Sequence, residues 1–245
     1  MYKNQYVMVT GASSGIGKSI SEYLLSLGTN VIMIARSLEK LEKIAQKDWE
    51  GEVLYYQYDL DDLESIRQIF DYCKNQNIKL DGIVHCAGLT ANMPLRVNNV
   101  ETTSQVLRVN LEAFIQICKY AASKKYTNDN ASIVALSSTA SIRGGKGLSV
   151  YSASKAAINI FVKSAAMELS HRGIRINAIA PAMVETEMYH ETMREIPGIE
   201  NAVLSNQPLG VIEPVYIAYL AEFLLSDKSK YLSGETIVVG AGGNF

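Results

Sequence analysis

The feature that most constrains this chain of 245 residues is an alternation of two hydrophobic periods. Short apolar runs rich in β-branched residues occupy positions 6–10, 31–35, 53–56, 82–86, 132–137, 174–180 and 236–239. Side chains alternate between the two faces of a strand, so a run with hardly a polar residue reads as a strand covered on both sides. The intervening segments, such as 15–27 and 38–46, repeat their apolar residues at helical spacing among strong helix formers. Strand, helix and strand in regular succession predict an α/β class: a seven-stranded parallel sheet flanked by helices on both faces, joined by right-handed crossovers. No Pro-, Gly- or Ser-rich linker and no internal repeat interrupts the series, so residues 1–245 are expected to form a single domain.

Composition narrows the function classes. Lys and Arg total 23 against 25 Asp and Glu, which gives no general attraction to nucleic acid or to an anionic membrane. Neither partner is expected. The first strand reaches its turn ten residues in, leaving no room for a basic and then apolar leader, and no apolar run approaches about 18 residues, the length of a membrane helix. Cys73, Cys86 and Cys118 form no CxxC pair and no even-numbered framework, which fits a reducing compartment. A cytoplasmic location follows as an expectation. His85, His171 and His190 are scattered without ligand-like spacing, and no metal site is predicted.

The first strand runs into Thr10-Gly11-Ala12-Ser13-Ser14-Gly15-Ile16-Gly17, and a helix follows directly. A tight structural turn would account for glycines alone. Their place between the opening strand and the first helix of a βαβ series favours a phosphate site. There Gly11, Ser13, Ser14, Gly15, Ile16 and Gly17 would bring backbone N–H groups and the positive end of a helix dipole to a pyrophosphate. The second strand ends at Arg36, where an acid would accept from the 2′-hydroxyl of NAD and a cation would pair with the 2′-phosphate of NADP. Arg36 therefore predicts NADP(H), the alternative being a solvated arginine at a helix start. Asp59, after the third strand, reads either as a ligand contact or as a helix N-cap.

Tyr151-Ser152-Ala153-Ser154-Lys155 opens a helix, and a spacing of four sets the phenol and the ammonium on one face. A neighbouring cation favours phenolate, so Lys155 is expected to lower the Tyr151 pKa and make it a tuned general acid. The fifth strand ends at Ser137-Ser138-Thr139, at the sheet edge where open α/β folds bind ligands. Ser138 would donate to a substrate oxygen there, or serve only as a cap or turn former.

Together these motifs resemble the classical short-chain dehydrogenase/reductase family along essentially the whole chain: TGASSGIG at 10–17, Asp59, Ala87-Gly88, Asn110, Ser138, YSASK at 151–155 and the stretch 181–186. The resemblance implies a single-domain, doubly wound Rossmann fold with a catalytic tetrad of Asn110, Ser138, Tyr151 and Lys155, Asn110 positioning a water. It implies that Asp59, with Leu60, contacts adenine, that Ala87, Gly88, Tyr151 and Lys155 lie along the cofactor, and that Pro181, Val184 and Thr186 hold the nicotinamide end. Within the family the chain is most similar to the 3-oxoacyl-[acyl-carrier-protein] reductases, which implies NADP(H), an acyl-thioester or other small carbonyl substrate, an acyl carrier protein as a partner, and a homotetramer. A sugar or secondary-alcohol dehydrogenase and a non-catalytic NADPH sensor are the competing readings.

The chain departs from the family pattern at His85-Cys86, where an amide usually braces the central strand, at Ala182, at Ala241 and after Gly210, but not in the tetrad. The helices at 106–122 and 153–169 are apolar around most of their circumference, which fits either a subunit interface or burial in their own core. Residues 187–207, with Met188, Tyr189, Met193 and Ile196, are expected to form a substrate lid. His171, Arg172 and Arg175 are candidates for a basic patch toward a carrier protein.

Overall fold

The strand Tyr6–Thr10 (β1) shows how the apolar runs are used. Met8 packs into one core cluster while Val7 and Val9 pack into another on the opposite face, and all three are buried. The same division repeats along Asn30–Ala35 (β2), where Ile32 and Ile34 join Met8, and Val31 and Met33 join Val9. Five more strands complete the sheet: β3 (Val53–Gln57), β4 (Leu80–His85), β5 (Thr127–Leu136), β6 (Arg175–Pro181) and β7 (Thr236–Val239). The order is β3-β2-β1-β4-β5-β6-β7 and every pair is parallel. This computed structural model describes residues 4–195 and 199–243.

The helices are α1 (Gly15–Ser26), α2 (Leu38–Ala45), α3 (Arg67–Asn75), α4 (Val100–Leu107), α5 (Ala113–Ala121), α6 (Ala140–Arg143), α7 (Ser149–Leu169), α8 (Glu187–Glu195), α9 (Ile199–Asn206) and α10 (Pro214–Leu225). Residues of α1, α2 and α10 share one core with Val7 and Val9, and residues of α3, α5 and α7 share the other with Met8. A parallel sheet covered on both faces results, as the alternating pattern predicts.

Two local features differ from the sequence reading. β5 begins at Thr127, about five residues early, because Thr127 pairs with Leu80 across a register shift. Asn128, Asp129 and Asn130 favour turns, Asn130 takes a left-handed φ of +64°, and the three lie in the bulge between the paired positions Thr127 and Ser132. The helix expected over 106–122 is α4 and α5 joined by a π-turn at Arg108–Glu112. A one-residue insertion of this kind leaves the apolar spacing nearly intact, so the sequence hides it. Among the described residues no helix is long and apolar enough to cross a membrane.

Candidate active site

The sheet order reverses at β1: β2 and β3 extend to one side, and β4 to β7 to the other. Loops leaving the carboxyl ends of β1 and β4 diverge there, and such switch points are where open α/β sheets form their crevice. A cleft of about 1400 Å³ opens at this edge. Every residue assigned to the cofactor from the sequence lines it, as do Ser138, Tyr151 and Lys155.

The turn after β1 requires its glycines. Gly11 has a φ of +66°, and a Cβ on it would lie 2.8 Å from the Ala87 nitrogen. A Cβ on Gly17 would collide with the Gly11 carbonyl oxygen. Ser14 occupies the N-cap of α1, yet its side chain caps nothing. The first-turn N–H groups are left for another acceptor, and Ser13, Ser14 and Ile16 line the cleft beside them.

At the far end, Ser37 caps α2 by accepting from the Lys40 N–H, which puts Arg36 immediately before the helix. Arg36 is exposed on the cleft wall and carries no ion pair among the described residues. Asp59 accepts from the Asp61 N–H at 3.1 Å, and the next helix starts only at Arg67, so Asp59 closes a turn rather than capping a helix. Leu60 beside it is buried. Sequence reasoning missed Lys40, whose Nζ lies 3.2 Å from Glu187 and ties α2 to α8 across the cleft mouth.

Ser138, Tyr151 and Lys155 meet at the other end. Ser138 Oγ accepts from the Ala140 N–H at 3.1 Å, so the serine forms its turn and also faces the ligand edge. Burial raises the Tyr151 pKa, and a hydrogen bond with the Ser138 hydroxyl pulls it partly back. Lys155 does not lower it, contrary to the expectation from spacing. The ammonium donates to the Leu136 carbonyl at 2.7 Å and sits 5.9 Å from the Tyr151 ring centre, since a buried cation takes the nearest acceptor. Burial brings the Lys155 pKa down to about 8. One protein acceptor leaves two of its three N–H donors for a ligand, as a ribose diol would need. Gly88 presses on this group: a Cβ there would come within 3.3 Å of both Lys155 Nζ and Asn110 Oδ1.

Asn110 stands one layer behind the cleft, in the π-turn. Its amide accepts from the Leu89 N–H at 2.7 Å and donates to the Leu89 carbonyl at 2.9 Å and to Ser154 Oγ at 3.0 Å. The side chain thus fastens the segment after β4 to α7.

His85 replaces the amide expected in the central strand and makes the brace differently. Its Nδ1 pairs with Thr10 Oγ1 at 2.9 Å, Thr10 Oγ1 also accepts from the Ala87 N–H, and the ring stacks on Phe114. Burial, reinforced by the Lys155 charge, pushes the His85 pKa down to about 3.

Pro181, Val184 and Thr186 form the cleft wall after β6, and Thr186 Oγ1 accepts from the Tyr189 N–H at the start of α8. Gln207, which the sequence reading passed over, pins this wall. It accepts from the Met183 N–H at 2.8 Å and donates to the carbonyls of Met183 and Gly210. Met188 and Tyr189 line the cleft, Met193 does not, and Ile196 lies outside the described residues. The basic patch expected at Arg172 and Arg175 does not form. Arg172 is buried against Asp129 and the carbonyls of Ala121, Ala122 and Thr127, and Arg175 against Ser229 and the carbonyls of Leu225 and Ser226.

This fold and cleft define an oxidoreductase of the short-chain dehydrogenase/reductase family, to which the chain belongs. Residues 11–244 match the family model described as Enoyl-(Acyl carrier protein) reductase. The sequence is 31% identical over 238 residues to the 3-oxoacyl-[acyl-carrier-protein] reductase FabG of Thermotoga maritima, covering 96% of each chain. It is also 31% identical over 246 residues to the enzyme of the same name from Staphylococcus aureus, covering 99% of each. The backbone is similar to a short-chain type dehydrogenase/reductase from Mycobacterium ulcerans, with a TM-score of 0.90 at 26% identity over 98% of this chain and 90% of that one. A short chain dehydrogenase family protein from Francisella tularensis gives 0.85 at 28% identity, over 97% and 98%.

Proposed function

We propose that this chain is an NADP(H)-dependent ketoreductase acting on 3-oxoacyl thioesters, with acyl carrier protein as the natural carrier, working in the cytoplasm as a homotetramer. The observation that carries the reading is the make-up of one cleft: an unpaired arginine at one end, a glycine turn in the middle, and Ser138, Tyr151 and Lys155 at the other. The first-turn N–H groups of α1 would hold the pyrophosphate, Arg36 the 2′-phosphate, and Asp59 with Leu60 the adenine. Ala87, Gly88, Pro181, Val184 and Thr186 would line the nicotinamide end. Bound nicotinamide supplies or accepts the hydride.

The protein's own part is proton and oxygen chemistry. Ser138 donates to the carbonyl oxygen and Tyr151 Oη gives that oxygen its proton, a service worth about 10² to 10⁴ in rate. Lys155 holds the ribose with its two spare N–H donors and, once a ligand draws it from Leu136, stabilises the phenolate left behind. Asn110 keeps α7 in register with the segment after β4 through its side-chain amide.

The match to the Enoyl-(Acyl carrier protein) reductase family model favours a second reading, reduction of a 2-enoyl thioester, in which hydride adds to a C=C bond and the same donors would meet an enolate oxygen. NADPH absorbance with acetoacetyl and crotonyl thioesters of pantetheine separates the two. Turnover of the ketone alone is expected; turnover of the enoyl compound alone would replace this proposal with the second, and tight NADPH binding with no turnover would leave a sensor.

A further inference from the structure

The cleft wall beyond Ser138 carries two cations that the chemistry above does not use. Between β5 and α7 the chain forms α6 and then a loop in which Arg143 and Lys146 are both exposed and both line the cleft. Gly144 at φ +72° and Gly147 at +81° bend this loop, keeping the two cations three residues apart on one rim. Arg143 Nη1 donates at 2.8 Å to Asn206 Oδ1 on α9. That acceptor is neutral, and a guanidinium has five donors. Among the described residues no carboxylate pairs with Arg143 or Lys146. Two acidic residues of α8 also line the cleft: Glu187, which pairs with Lys40, and Glu191. Arg172 and Arg175 are buried and committed, whereas this loop supplies free positive charge on the cleft wall.

Resting on the ketoreductase reading, we propose that Arg143 and Lys146 form an anion-binding rim that selects substrates bearing a phosphate or carboxylate beyond the reacting carbonyl. Ser138 and Tyr151 take the carbonyl oxygen; the rim takes the distal charge, Arg143 through a planar fork suited to either anion. Neither cation touches the reacting atoms, so the effect belongs in KM rather than kcat.

Acetoacetyl thioesters of pantetheine and of coenzyme A offer the same carbonyl, with phosphates only on the second. Steady-state kinetics with NADPH should give wild type a KM for the coenzyme A thioester about tenfold below that for the pantetheine thioester, the size of one charge-assisted contact. In Arg143→Gln/Lys146→Gln the two values should converge while kcat on the pantetheine thioester holds, and Arg143→Lys should retain part of the preference. A pantetheine thioester whose acyl chain ends in a carboxylate locates the anion: a preference for it in wild type, lost in the double variant, assigns the charge to the acyl chain and equally supports the rim. Wild type showing no preference for either anionic substrate, or a preference that survives the double substitution, overturns the proposal. Failure to reduce even the neutral ketone thioester would instead sink the ketoreductase reading, and the rim with it.

Discussion

At the scale of single residues, charge and burial set the chemistry. Arg36 lacks an ion pair among the described residues, so Arg36→Ala breaks no ion pair and tests the proposed hold on the 2′-phosphate. The kcat/KM preference for NADPH over NADH should fall by about tenfold or more, and a ratio that does not move would clear Arg36 of the role. Lys155 loses its proton near pH 8 in the free protein. NADPH affinity, measured by titration without substrate, should therefore decline as pH rises through about 8, and Lys155→Met should show no such decline. His85 works in the opposite range. Its folded pKa of about 3 lies below the ordinary 6.5, so the unfolded chain binds the proton first. Stability should therefore fall as pH drops from about 6.5 toward 3, by at most ~1.4 kcal/mol per unit, and thermal melts of His85→Asn should show a shallower acid slope. Position and spacing singled out Arg36, Tyr151 and Lys155, and the three line one cleft. The sequence did not announce that Lys155 turns to the Leu136 carbonyl or that His85 pairs with Thr10, because both depend on which acceptors the sheet brings near.

At the scale of elements, the joints between strand and helix fix the site. Gly17 lets α1 pack against the turn it leaves, and Gly17→Ala would drive a methyl into the Gly11 carbonyl. A loss of about 1–3 kcal/mol from overpacking is expected, with NADPH affinity lowered at the same time, both measurable by melting with and without nucleotide. An alanine variant that melts and binds like wild type would refute the steric account. The runs that became strands were legible because a two-sided parallel sheet calls for apolar residues at most positions of each strand. The early start of β5 was not, since Asn128, Asp129 and Asn130 favour turns locally and form a bulge, and only Thr127 before them pairs with β4. The π-turn at Asn110 was equally hidden, and it is what places that amide against Leu89 and Ser154.

At the scale of the whole molecule, the two apolar helices divide their roles. α5 buries Phe114, Ile117 and Cys118 within its own core, whereas α7 leaves Ile160 65% and Met167 79% exposed. That face of α7 supports the proposed tetramer, and light scattering should find Ile160→Glu/Met167→Glu in a smaller assembly than wild type. A wild-type monomer would contradict it. The parallel sheet followed from the order of elements in the sequence, its doubly wound form from the family resemblance, and the reversal at β1 came from the structure. The arrangement of cations around the cleft did not follow from the sequence, because a linear pattern cannot tell a buried arginine such as Arg172 from an exposed one such as Arg143. The central claim, a phenol acting on a carbonyl beside bound nucleotide, is tested most directly by Tyr151→Phe. NADPH titration and NADPH consumption with acetoacetyl-pantetheine should be measured on the same sample. Unchanged nucleotide affinity with turnover reduced about 10² to 10⁴-fold is the predicted result; turnover near that of wild type would contradict the account.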